Sequence, residues 1–310
     1  MIEIKEVVKD FEGFKALNGL NMKVENGSIY GLVGPNGAGK STIIRHITGV
    51  FKATSGQVLV DGEEVYENPG AKSKIVYISD ELFYFGTSSV EDMGKFYSKI
   101  YDFDWERFEK MKPAFEKIDI KKSISKFSKG MQKQAAFWLA LCCKPRYLIL
   151  DEPVDGLDPV MRRQIWSLLV QDVEERGTTV LVSSHNLREL EDVCDTVGII
   201  NKGTMVLEKS LSSLQGGTKK FQLGFGKNTP DFIAEGKTGE IETPYGKINI
   251  LHCSNMGKVY TVIVRGSEEE MTSVFDNYNP VLCDMIPLNL EEIFIYELGG
   301  ENYEIKEIVL

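Results

Sequence analysis

The stretch GPNGAGKS, Gly34–Ser41, constrains this chain more than any other. Glycines at 34, 37 and 39 free the backbone to enter conformations closed to other residues, so the segment reads as neither strand nor helix. SIYGLVG runs into it as a short apolar strand, and TIIRHITG follows with helical patterning. A glycine-rich loop between a strand and a helix turns successive N–H groups inward, and the helix adds its positive end to the same point. Gly34, Pro35, Asn36, Gly37, Ala38, Gly39, Lys40, Ser41 and Thr42 are therefore the candidate residues for holding a nucleoside triphosphate. Lys40 would reach the β- and γ-phosphates, and the Ser41 hydroxyl could ligate Mg²⁺. The loop alone fits kinases, GTPases, motors and transport ATPases equally.

A second pattern narrows the choice. YLILDEP, residues 147–153, is an apolar strand ending in two acids. Asp151 at the strand tip can hold Mg²⁺ through its water shell, and Glu152 is placed to orient or deprotonate an attacking water. An acid pair capping a helix before Pro153 is the plain alternative, but it leaves unexplained why the pair follows a buried strand downstream of a phosphate loop.

Around these motifs the chain alternates strand and helix patterns. Short alternating runs fill residues 2–30, and GQVLVDGEEV reads as a hairpin turning at Asp61-Gly62. From 88 the period becomes helical. Ser88 and Glu91 form a capping-box pattern, followed by Met93, Phe96, Tyr97, Ile100 and Tyr101, then by Phe108, Met111, Phe115 and Ile118. Past an apolar helix at 131–143 come strand 147–150, helix 159–176, strand 179–184, helix 186–194 and strand 197–200. This alternation implies an α/β fold with a largely parallel sheet covered on both faces. KSLSSLQGGTKK, 209–220, reads as a linker, and 221–310 as a small α+β accessory domain with a helix from about 268 to 275.

Composition removes other classes. Net charge is −10 and the isoelectric point about 5.1, which argues against a nucleic-acid partner. The longest apolar run, AAFWLALCC (135–143), is far short of the roughly 20 residues a spanning helix needs. The opening MIEIKEVVKD is acidic and alternating, unlike a signal peptide. Cysteines at 142, 143, 194, 253 and 283 are too irregular for a disulfide framework or zinc site and read as reduced thiols.

In chain order, GPNGAGKST, FSKGMQKQ, YLILDEP, VDGLDP and SSHN resemble the motifs of the ATP-binding cassette (ABC) ATPases, the nucleotide-binding subunits of ABC transporters. The resemblance covers residues 1–208. It implies a phosphate-loop ATPase fold with a mixed sheet core, an antiparallel β part and a helical insert at about 88–143. It also implies an ATPase acting with ATP and Mg²⁺. Ser128 and the N–H of Gly130 would then bind the γ-phosphate of ATP held by a second ATPase subunit, in a homodimer or a heterodimer. Asp158 of VDGLDP would bridge the two sites, and His185 of SSHN would contact the γ-phosphate and the water. Phe11 would stack on adenine, with Phe14 the competitor.

The departures from the family are specific. Lys129 and Met131 replace common signature residues, and SKGM resembles the exporter-associated branch, including antibiotic-resistance ATPases. In VYISDELFY, Asp80 stands where the family commonly has a glutamine touching Mg²⁺ and the membrane partner. Either Asp80 binds the metal, or Glu81 substitutes, or a water bridges. With no spanning segment, a transporter needs a separate integral membrane permease, placing this subunit in the cytoplasm on the inner face of the membrane. The docking surface would include Leu82, Phe83, Tyr84 and Phe85, although such a run could equally be core. The competing classes are a soluble cassette ATPase outside transport and a nucleotide-gated module with little hydrolysis. NLEEIFIYELGG, 289–300, resembles the end of many exporter ATPases.

Overall fold

The structure is a computed structural model that describes residues 1–191, 193–211, 217–226, 229–293 and 295–296. The chain divides into two units, Met1–Ser210 and Leu211–Leu310.

The first unit runs β1 (Ile2–Phe11), β2 (Phe14–Val24), β3 (Ile29–Val33), α1 (Lys40–Ile47), β4 (Ser55–Val60), β5 (Glu63–Glu64), α2 (Pro69–Lys72) and β6 (Ile75–Ile78). It continues with α3 (Val90–Tyr97), α4 (Trp105–Met111), α5 (Lys129–Cys142), β7 (Tyr147–Asp151), α6 (Pro159–Arg176), β8 (Thr179–Ser184), β9 (Thr196–Asn201) and β10 (Thr204–Ser210). Two sheets result. An antiparallel sheet has the order β2-β1-β4-β5, and a mixed sheet has the order β10-β9-β3-β8-β7-β6. All neighbours in the second are parallel except β10 on β9. The parallel strands β3, β7 and β8 are buried at every position, as strands covered on both faces must be. This is the expected phosphate-loop ATPase architecture.

The core explains why α1 sits where it does. Ile43, Ile44 and Ile47 recur at helical spacing, and all are fully buried. They join Ile4 and Val7 of β1, Leu17 and Leu20 of β2, and Ile149 and Leu181 of the parallel strands in one apolar cluster. That cluster fixes the axis of α1, and therefore where its first turn points.

Two local expectations were off. The capping box uses Ser89 and Asp92, not Ser88 and Glu91: the Ser89 side chain accepts from Asp92 N–H while the Asp92 carboxylate accepts from Ser89 N–H. Both pairs fit the spacing, and Ser88 is tied elsewhere by Ile124 N–H donating to its carbonyl at 2.9 Å. The helix expected over 186–194 is only a 3₁₀ turn, Leu187–Glu189, capped by the Asn186 side chain; residue 192 lies outside the described residues. The Asp61-Gly62 hairpin is present, with both residues at positive φ (55° and 80°), the two-residue turn whose twist matches its strands.

The second unit is a five-stranded antiparallel sheet, in which β11 is Thr218–Gly224, β12 Gly239–Thr243, β13 Gly246–Met256, β14 Val259–Arg265 and β15 Leu282–Ile286, in the order β12-β13-β14-β11-β15. A helix, Glu268–Asp276, contributes Met271, Val274 and Phe275 to a core with Phe221, Ile250 and Val262. The stretch 209–220 is strand at both ends, and its middle, 212–216, lies outside the described residues. So do residue 294 and residues 297–300 of NLEEIFIYELGG. No helix among the described residues is long and apolar enough to cross a membrane.

Candidate active site

The phosphate loop leaves the tip of β3. Gly34 is required there, because a side-chain carbon would meet the Ile200 carbonyl oxygen at 2.3 Å. Ala38 N–H closes the loop on Pro35 O at 3.1 Å. Gly37 and Gly39 take φ of 83° and 111°, conformations that only glycine adopts without strain. Helix α1 then begins with no side-chain cap and no acid in its first turn. Its first N–H groups are therefore unspent donors at the positive end of a helix. An anion completes such a terminus.

Lys40 is buried, with 6% of its surface exposed. Its Nζ donates to Gly34 O at 2.7 Å and lies 3.3 Å from Glu152 Oε1. That oxygen has no aligned hydrogen-bond partner. The other oxygen, Oε2, lies 3.0 Å from His185 Nδ1, which donates to it in the tautomer this carboxylate favours. Glu152 thus stands between Lys40 and the exposed His185 ring. Its own φ is +47°, a left-handed conformation that costs a glutamate on the order of 1–3 kcal/mol.

Asp151, one residue earlier, is buried at the end of β7. Its Oδ1 accepts from the Ser183 hydroxyl at 2.6 Å, and that hydroxyl accepts from Glu152 N–H at 3.0 Å. Ser183 therefore orients both acids through one oxygen. Tyr77 adjoins Asp151; burial, with the carboxylate charge beside it, pushes the phenol up to about 12. The Ser41 hydroxyl and the Asp151 carboxylate are hard oxygen donors of the kind Mg²⁺ takes. The N–H cradle, the buried ammonium and these oxygens together fit a magnesium–triphosphate complex.

Asp80 pairs with a lysine. Its half-exposed carboxylate lies 3.4 Å from Lys133 Nζ, a lysine of α5 that also donates to Glu152 O at 2.9 Å. Neither Lys133 nor Ser183 was singled out in the sequence. Each contacts the site from a distant segment, and the hint the sequence offered was that Lys133 lies within FSKGMQKQ and Ser183 opens SSHN.

Ser128 caps α5, its Oγ accepting from Met131 N–H at 3.3 Å. With Gly130, Gly156 and Asp158 it lines a cavity of about 950 Å³ whose wall includes no residue of the phosphate loop. Asp158 caps α6 through Val160 and Met161 N–H. Phe11, at the end of β1, packs edge-to-face on Phe51 with centroids 5.7 Å apart, and Lys9 Nζ lies over its ring. Phe14, its hairpin partner, is the more exposed of the two.

Residues 17–155 match the family described as ABC transporter. The chain is 30% identical over 303 residues to the ABC transporter ATP-binding protein YtrB of Bacillus subtilis, covering 97% of this chain and 99% of that protein. It is 33% identical over 234 residues to the linearmycin resistance ATP-binding protein LnrL of the same organism, covering 72% and 74%. The dimeric structure of MJ0796, a bacterial ABC transporter cassette, superposes with a TM-score of 0.62 at 22% identity, covering 68% of this chain and 99% of that one, a likeness of fold.

Proposed function

The chain belongs to the ABC transporter family as an ATP-binding subunit, and from that premise we propose that it hydrolyses ATP to power a separate membrane permease, as an exporter. The observation that carries the hydrolytic reading is the Glu152 carboxylate standing between Lys40 and His185 at the mouth of the phosphate loop. Export is supported by the SKGM signature and by similarity to a resistance ATPase.

The glycine loop and the first turn of α1 bind the phosphates, and Lys40 draws negative charge onto the γ-phosphoryl. Ser41 and Asp151 would hold Mg²⁺, which when bound would supply positive charge to offset that of the β- and γ-phosphates. Glu152 aligns a water opposite the leaving group and takes its proton. The water oxygen bonds to the γ-phosphorus as the bond to the β–γ bridging oxygen breaks, giving ADP and phosphate. His185, touching the same carboxylate, holds it in register and would contact the γ-phosphate of bound ATP. The Asp80 carboxylate rests on Lys133.

Ser128 and Gly130 belong to the γ-phosphate of a second subunit, a reading supported by their separate cavity. Two subunits then close head to tail around two ATP molecules, and hydrolysis releases them. The permease surface is the aromatic cluster Phe83, Phe85 and Phe96, in which Phe83 is 81% exposed and the rings meet edge to face. This puts the subunit on the inner face of the membrane. Glu152→Gln tests the scheme: kcat should fall about 10²–10⁴-fold while ATP binding persists and a dimer accumulates in size-exclusion chromatography. Normal turnover by that variant would remove Glu152 from its role.

A further inference from the structure

We propose that Lys133 is a positioning residue for Glu152: its ammonium, anchored by Asp80, clamps the strained backbone that carries the water-orienting carboxylate. The proposal rests on the hydrolytic reading of Glu152 given above.

Lys133 lies on α5, five residues after Ser128, yet only 9% of its surface is exposed. A buried ammonium requires acceptors, and the structure supplies two. One is the Glu152 carbonyl at 2.9 Å; the other is Asp80 Oδ1 at 3.4 Å. Glu152 is the residue of the site with non-glycine backbone at positive φ, and such a conformation persists only where its surroundings hold it. Both of its peptide groups are held by side chains. The N–H is taken by Ser183 Oγ and the C=O by Lys133 Nζ. The residue that follows is Pro153, which has no N–H to offer a neighbouring acceptor.

The clamp has one fixed jaw and one movable one. Ser183 is fully buried and already spent on Asp151, so it has no freedom to leave. Asp80 is on a loop outside any helix or strand, with 55% of its side chain exposed. When Asp80 turns away, Lys133 loses its only charged acceptor among the described contacts and the Glu152 carbonyl bears the ammonium alone. A glutamine at position 80 would offer Lys133 no opposite charge. The Asp80–Lys133 pair thus lets the loop after β6 set the precision with which Glu152 sits between Lys40 and His185.

The experiment compares wild type with Lys133→Met, Lys133→Arg and Asp80→Asn. Amide exchange is followed by NMR in nucleotide-free protein, affinity with a fluorescent ATP analogue, and turnover with MgATP. In Lys133→Met the Glu152 amide should exchange about tenfold faster or more, with Leu148–Leu150 unchanged. Its kcat should fall by about tenfold or more, with nucleotide affinity within about threefold of wild type. Lys133→Arg should recover part of both effects, and Asp80→Asn should show a smaller loss of the same kind. Should Lys133→Met not fold, these last two variants decide alone. Unchanged exchange at Glu152, unchanged kcat, or a loss confined to nucleotide affinity would each overturn the proposal. A wild-type protein that binds ATP without hydrolysing it would sink the functional reading instead, and the exchange comparison would still judge the clamp.

Discussion

At the scale of single residues, the site is built from groups that sequence spacing reveals and groups that it hides. Lys40, Ser41, Asp151 and Glu152 were legible because each belongs to a short motif whose geometry is local. Ser183 and Lys133 were not, because they reach Glu152 across 31 and 19 residues of chain, respectively. Asp80 was visible as a departure, but its partner on α5 was not. Another buried residue makes a residue-scale prediction. His46, on α1, donates through Nδ1 to Thr42 O at 2.7 Å, packs on Phe51, and leaves Nε2 without a hydrogen bond. Burial holds its pKa below the ordinary 6.5. On acidification the unfolded chain therefore takes up this proton before the folded chain does, so stability falls as pH drops from 6.5 toward the lowered value and levels off below it. Melting temperatures between about pH 7.5 and 5 should fall less steeply for His46→Gln than for wild type. An equal slope in both would remove His46 as a cause.

At the scale of elements, α5 carries the most. Its N-terminus presents Ser128, its first turns carry Lys133, and its apolar half anchors the helical insert. The anchor is Trp138, stacked with Phe108 (4.5 Å) and with Phe115 (5.3 Å), its Nε1 donating to Phe108 O at 3.2 Å. Two near-parallel ring contacts to one indole hold α4 and the turn after it to α5. Trp138→Ala should cost about 3–5 kcal/mol in chemical denaturation followed by far-UV circular dichroism. A loss below about 1 kcal/mol would mean that the insert is held otherwise. The aromatic spacing of the insert was readable from sequence, whereas its capping pair was not, since Ser88–Glu91 and Ser89–Asp92 obey the same rule one residue apart. The segment after SSHN misled for a related reason. Its apolar spacing suits a helix, but the Ser184 hydroxyl accepts from Asn186 N–H and donates to Glu189, and the chain turns instead.

At the scale of the whole molecule, two separate apolar cores stand behind two separate units. Each has its own sheet, and every strand of the phosphate-loop sheet precedes residue 211. A protein ending at Ser210 should therefore fold and bind a fluorescent ATP analogue within about threefold of the full chain, with the remaining residues serving other ends. Loss of cooperative unfolding in that shorter protein would show that the first unit leans on the second. The α/β architecture was legible as a whole because strand and helix periods alternate so regularly. The second unit was legible as α+β with one helix; β12 and β15 are short and half-polar, and they owe their place to ladder pairing with β13 and β11.

The Lys40 ammonium already has protein oxygens around it. It donates to Gly34 O and lies against Glu152, so its charge is matched within the protein. An arriving triphosphate consequently does not strip water from a free cation; it trades one set of oxygens for another. Affinity then measures the difference between two well-made environments rather than the strength of one.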